Sequence, residues 1–164
     1  MIVLPVVPIT ARAFAPYGWL AAGDDPGGRP INDGTSRRVD AAGQLAFAAE
    51  GGAATLAVFR AEARDPCGPW RTLERHRLGT QTFVPLGGVR CVMLVAAGQA
   101  RPEPGTLAAF VVSGRQAVTL HAGTWHHALI AIDSGDFVVV ERRASQVDCE
   151  LAELAEPVTL EWQG

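Results

Sequence analysis

Two stretches of the chain concentrate residues able to do chemistry. The first reads Leu73-Glu74-Arg75-His76-Arg77-Leu78-Gly79-Thr80-Gln81-Thr82-Phe83-Val84-Pro85-Leu86; the second reads Leu120-His121-Ala122-Gly123-Thr124-Trp125-His126-His127. All 4 histidines of the protein lie in them. In an extended strand successive side chains point to opposite faces, so Glu74 and His76 share one face. Gln81 follows a turn at Gly79 and folds back toward that face. His126 and His127 are neighbours, so only one of them can look inward. Imidazole and carboxylate donors suit a divalent transition ion such as Mn, Fe, Ni or Zn better than Ca or Mg. The neutral Gln81 is a weak ligand, so a metal-free polar pocket stands beside the metal reading.

The rest of the composition narrows the function classes. With 164 residues the chain is long enough for one domain with a sizeable core, expected over 1–164. The hydrophobic fraction of 48% and charged fraction of 19% fit a globular protein. A net charge of −3 leaves no electrostatic footprint for nucleic acid or an anionic membrane. Every basic residue is Arg. A lysine Schiff base and lysine-bound pyridoxal phosphate are thereby excluded, no organic cofactor is expected, and any cationic substrate anchor must be a guanidinium. Cys67, Cys91 and Cys149 are odd in number and match no zinc ribbon or redox pair, which implies a reduced cytoplasmic protein. No signal segment and no long apolar run is present, so neither export nor a membrane span is expected.

These residues must be held by strands. Thr10 caps a short helix over Ala11–Ala15. Residues 23–34 are rich in Gly, Pro, Asp and Asn and read as a long loop. Asp40–Glu50 is ambiguous, its Ala content favouring helix. Short strands are expected at Ala53–Arg60, Arg71–Arg75, Thr80–Pro85, Val89–Ala97, Leu107–Val112, Ala117–Leu120, Ala128–Ile132 and Phe137–Glu141. Turn residues such as Gly87-Gly88 and Ser134-Gly135 separate them. Ser145–Gly164 reads as a loop or short helix and then a strand at Val158–Trp162. The pattern is mainly all-β, a small barrel or sandwich with a short N-terminal helix and loop excursions.

The spacings Gly68-x5-Glu74-x-His76-x4-Gln81-x6-Gly88 and His121-x-Gly123-x2-His126 resemble the two motifs of the cupin superfamily of β-barrels. In that resemblance Glu74 replaces the first His, His76 is the second, Gln81 replaces the carboxylate and His126 is the motif-two His, which makes it the inward one. His121 falls where Pro is usual, and Ile130 stands where Asn often ends the motif. The longer match Leu73-Glu74-Arg75-His76-x-Leu78-Gly79-Thr80-Gln81-x-Phe83-x-Pro85, with His121-x3-Trp125-His126-His127 and Ile31-Asn32-x-Gly34, is similar to the ureidoglycolate lyase family, formerly called ureidoglycolate hydrolases. Pro16-Tyr17-Gly18, Arg38, Leu107, Phe110 and Asp148-Cys149 also match. Residues 35–60 follow the family pattern loosely.

The resemblance implies a lyase that splits (S)-ureidoglycolate into glyoxylate and urea in allantoin catabolism. It implies a divalent transition metal held by Glu74, His76, Gln81 and His126, with Ni or Mn ahead of Zn or Fe. Glu74, His76, His121 and His126 are the expected catalytic residues, with His121 or His127 carrying the proton. Asn32, Arg38, Gln81 and His127 are the expected substrate contacts, Arg38 serving the carboxylate. Arg75 and Arg77 are expected to point outward into solvent. A homodimer is expected, with a small molecule as the other partner. The rival readings are another cupin-type small-molecule enzyme, disfavoured as a dioxygenase by Gln81, and a barrel that binds a small acid without turnover.

Overall fold

The computed structural model describes residues 1–22 and 27–164. The chain starts with β1 (Ile2–Pro8), α1 (Ala11–Phe14) and β2 (Gly18–Ala22). A hairpin follows, β3 (Arg29–Ile31) and β4 (Ser36–Arg38), then β5 (Ala53–Ala61), β6 (Trp70–Arg75), β7 (Gln81–Pro85) and β8 (Gly88–Ala96). The last third holds β9 (Ala108–Gly114), β10 (Gln116–Leu120), β11 (Trp125–His126), β12 (Ile130–Ala131), β13 (Gly135–Arg143) and β14 (Glu150–Glu161).

Strands β11, β6, β14, β1, β9 and β8 pair in that order, and β11 pairs again with β8, closing a six-stranded barrel. A second sheet, in the order β2-β10-β7-β13-β5, packs on the barrel. This is the small all-β, cupin-like architecture expected from the strand and turn pattern. Strand β8 joins the two layers. Its Val92, Leu94 and Ala96 fill the barrel with Trp70, Leu73 and Trp125. Its Cys91, Met93 and Val95 face the second sheet, packing with Phe83, Val118, Phe137 and Val139. A strand buried on both faces reads as a continuous apolar run, and residues 91–96 are Cys-Val-Met-Leu-Val-Ala.

Three expectations need correcting. The 23–34 loop contains β3 and a single 3-10 turn at Asn32–Gly34, while residues 23–26 lie outside the described residues. Asp40–Glu50 is irregular rather than helical and ends in a 3-10 turn at Ala49–Gly51. Among its tertiary ties are the exchanges of Ala46 with Thr80, whose N–H donates to the Ala46 carbonyl at 3.0 Å and whose hydroxyl accepts from the Ala46 N–H at 3.1 Å. The tail is a loop over 145–149, as one of the two expectations had it, and then one long strand, Glu150–Glu161, that starts well before the expected Val158. Its Leu-x-x-Leu spacing suits a helix, but the segment lies between β6 and β1, which pair with its backbone on both sides. The helix α1 stops at Phe14, and the Thr10 hydroxyl accepts from the Ala13 N–H as a cap.

Candidate active site

Strand β11 lies against β6 with His126 opposite Glu74, and against β8 with His126 opposite Val95. Cross-strand partners point to the same face, and Val95 faces the second sheet, so Glu74 and His126 do as well. His76 follows β6 directly and brings its ring centroid to 5.3 Å from that of His126. From the opposite sheet come Gln81, the first residue of β7, and Glu141, near the end of β13. Gly79 makes the turn between the two arms. A Cβ there would stand 2.5 Å from the Cβ of Arg142, so no side chain is accommodated.

Each side chain is oriented by a specific partner. The His126 Nδ1–H donates to the Thr124 carbonyl at 2.9 Å, and the His76 Nδ1–H donates to the Asp148 carbonyl at 2.6 Å. Both rings thereby keep a lone pair on Nε2. The Gln81 amide N–H donates to Glu141 Oε2 at 2.8 Å, which fixes the amide so that Oε1 turns away from the carboxylate. His76 Nε2, His126 Nε2 and Gln81 Oε1 are the three buried side-chain atoms without a hydrogen-bond partner among the described residues. Buried polar atoms are normally satisfied, so three orphans at one place signal a missing ligand.

Ligand atoms of Glu74, His76 and His126 lie within 4.8 Å of one another. Glu74 Oε1 is 3.5 Å from His126 Nε2, close enough for charge interaction yet too long for a good hydrogen bond. The His126 imidazole, outweighing partial burial, holds the Glu74 carboxyl below its ordinary range. A carboxylate and two imidazoles whose Nδ1 atoms are each engaged by a backbone carbonyl fit a divalent transition ion. Gln81 Oε1 adds a neutral oxygen donor.

A cleft of about 240 Å³ opens here, lined by His76, Gln81, Glu141, Arg143, Asp148 and Cys149 among others. The Cys149 thiol donates to Glu74 Oε2 at 3.7 Å. Asp148 ties the loop before β14 to the first motif, its carboxylate accepting from the Arg77 and Leu78 N–H groups at 2.9 and 2.7 Å.

The remaining expected residues sit elsewhere. His121 packs on the Trp19 ring and contacts the Ala15 carbonyl at 3.2 Å, in a separate groove beside Pro16 and Arg77. His127 points away from His126 and lies against Trp70, ring centroids 4.5 Å apart; burial depresses its pKa. Neither is among the residues that line the cleft, and nor are Glu74 and His126, which sit beside His76. Asn32 and Arg38 belong to the β3–β4 hairpin, where Arg38 pairs with Asp40 at 2.6 Å, and they do not line the cleft either. Arg75 is buried rather than outward. It binds Glu150 at 2.6 Å and the Gln99 carbonyl, and its guanidinium lies 4.3 Å from the Trp125 ring. Arg77 is exposed as expected. Sequence reasoning missed Glu141 and Arg143. Their signal was the alternation Phe137-x-Val139-x-Glu141-x-Arg143, an apolar face that turns charged at one end.

Comparison with known proteins bears on this constellation. A family model described as ureidoglycolate lyase matches residues 1–161. A curated protein named ureidoglycolate lyase from Stutzerimonas stutzeri (strain A1501) is 38% identical over 148 residues, covering 90% of this chain and 87% of that protein. One of the same name from Burkholderia cepacia is 36% identical over 149 residues, covering 90% and 84%. Another from Pseudomonas aeruginosa (strain LESB58) is 38% identical over 150 residues, covering 90% and 88%.

Proposed function

The chain belongs to the ureidoglycolate lyase family, and on that premise we propose that it is an enzyme cleaving (S)-ureidoglycolate to glyoxylate and urea in allantoin catabolism. The observation that carries the proposal into this fold is the convergence of three orphaned buried atoms, His76 Nε2, His126 Nε2 and Gln81 Oε1, beside Glu74 at the cleft.

Glu74, His76 and His126, with Gln81, would hold a divalent transition ion, for which we favour Ni or Mn over Zn or Fe. When bound, the ion supplies positive charge that polarises a substrate oxygen. The Thr124 and Asp148 carbonyls keep the two imidazoles in the tautomer that a ligand needs. Elimination requires a base for the substrate hydroxyl and an acid for the departing nitrogen. Glu141 has Oε2 engaged by the Gln81 amide and is one of the residues lining the cleft. We assign it the proton. It takes the hydroxyl proton, the O–H electron pair becomes the second bond of the new carbonyl, the C–N pair leaves with nitrogen, and Glu141 returns the proton there. No covalent nucleophile is needed, consistent with the absence of an activated Ser or Cys in this reading.

We also propose a homodimer and a cytoplasmic location. The outer face of the second sheet presents Leu56, Val58, Val84, Val138 and Val140, with Leu56 68% and Val58 50% exposed. Such a patch is covered in most soluble proteins. The three described cysteines are unpaired, as in a reducing compartment. Among the described residues no helix is long and apolar enough to cross a membrane.

Product analysis on racemic ureidoglycolate tests the activity. Glyoxylate and urea in equal amounts, lost on chelation and restored by one divalent ion, are expected. Ammonia as the nitrogen product makes the protein an amidohydrolase instead. No turnover by the folded, metal-loaded protein defeats the assignment and favours a binding barrel.

A further inference from the structure

We propose that Arg143 is the carboxylate anchor of the cleft, and that it sets a preference for α-hydroxy acids with a free carboxylate over their neutral amides. The inference rests on the ureidoglycolate reading only for the identity of the natural ligand; the binding chemistry is read from the cleft.

The placement comes from β13. Phe137 and Val139 face the apolar space between the sheets, Glu141 continues that face to reach Gln81, and Arg143 ends the strand on the same side. Its Cα lies about 7 Å along the strand from that of Glu141. Both residues line the cleft that reaches His76 and Gln81. A small acid with its hydroxyl at the metal-ligand cluster therefore extends its carboxylate toward the end of β13.

Partnering singles out this arginine. Two arginines are among the residues lining the cleft, Arg142 and Arg143. Arg142 lies on the opposite face of β13, where its Nε and one terminal nitrogen donate to the Ala49 carbonyl at 2.9 and 2.7 Å. It is occupied in holding the 49–51 turn. Arg75, Arg77, Arg90 and Arg38 are likewise engaged by carboxylates. Among the described residues no hydrogen bond or ion pair engages the Arg143 guanidinium. Its planar fork matches a carboxylate in two parallel hydrogen bonds.

Charge makes the anchor necessary. Glu141 and Asp148 line the cleft, with Glu74 next to it beside His76, and their charge repels an anionic substrate. A bound divalent ion offsets the cluster end; Arg143 offsets the outer end, where the substrate enters. Arg38, the arginine that the sequence suggested, is paired with Asp40 in the hairpin and is not among the residues lining this cleft.

The test compares the metal-loaded wild type with Arg143→Gln and Arg143→Lys. Calorimetric titration with glycolate and with glycolamide reads the anchor without turnover. The wild type is expected to bind glycolate about 10–100-fold tighter than glycolamide, the range of a hydrogen-bonded charge. Arg143→Gln should bind the two alike, and Arg143→Lys should recover part of the preference. Steady-state kinetics on ureidoglycolate should show the loss in Arg143→Gln chiefly as a raised KM. A wild type without the preference, or an Arg143→Gln variant that keeps it, overturns the anchor. If the preference depends on Arg143 but ureidoglycolate is not cleaved, the lyase reading fails while the anchor stands. If ureidoglycolate is cleaved and Arg143→Gln leaves KM unchanged, the anchor fails and the lyase reading stands.

Discussion

The two sides of β8 are built from one strand and do opposite things. On one side Val92, Leu94 and Ala96 look into the barrel, which closes on itself and is filled by Leu73, Trp125, Ile130 and other apolar groups. On the other side Cys91, Met93 and Val95 look across at the second sheet. That space is sealed by Phe137 at one end and opens at the other, where Gln81, Glu141, Glu74 and His126 converge. A closed barrel has no edge at which to admit polar groups without orphaning them. Between the barrel and the second sheet, His76 Nε2, His126 Nε2 and Gln81 Oε1 have no hydrogen-bond partner among the described residues. Stability resides on one side of the strand, chemistry at one end of the other.

Glu141→Gln should separate these roles most widely. It removes the proton carrier while still accepting from Gln81, so kcat should fall roughly 10²–10⁴-fold with the unfolding midpoint unchanged. Equal losses of stability and activity would mean that Glu141 is structural only.

The converse substitution is Leu94→Ala inside the barrel. Leu94 is fully buried, and the cavity should cost about 2–5 kcal/mol in denaturant unfolding. The folded fraction should keep its specific activity; a fall in kcat would show that the barrel interior is coupled to the cleft.

The neighbours His126 and His127 sharpen the contrast at the scale of one peptide bond. His126→Ala should weaken metal binding by more than the roughly 10–100-fold that loss of an outer partner costs. His127→Ala should retain the metal. Metal content after gel filtration decides, and parity between the two variants would remove the facing argument.

The smallest effect concerns the sealed end. Burial pushes the Cys91 thiol up to about 12. An unfolded thiol ionises near 8.5, so below that pH both states hold the proton and stability is unaffected. Between there and about 12 only the unfolded state loses it, so stability falls by about 1.4 kcal/mol per pH unit as pH rises. Denaturation of wild type and Cys91→Val from pH 8 to 10 should show a slope that the variant lacks. Parallel curves would place water at Cys91.

Much of this was legible before folding. The period-two alternation and the turn residues specify strands, so the all-β class and most strands could be read directly. Glu74-x-His76 and His126 could be read too, because a strand's alternation decides facing locally. The tail β14 could not: its spacing suits a helix, and only the free edges of β1 and β6 make it a strand. Nor could the fates of His121 and Arg75, each taken by partners distant in sequence, Trp19 for the one and Glu150 with Trp125 for the other; no local pattern encodes such meetings. Glu141 and Arg143 were silent for the same reason. A charged end to an apolar strand is ordinary until the fold lays it across from His76 and Gln81. The sequence by itself determined which faces are apolar and which residue types are available for metal binding or proton transfer; the tertiary structure decided which of them meet, because convergence depends on pairings distant in sequence, such as Gln81 with Glu141 60 residues on, that local propensity does not carry.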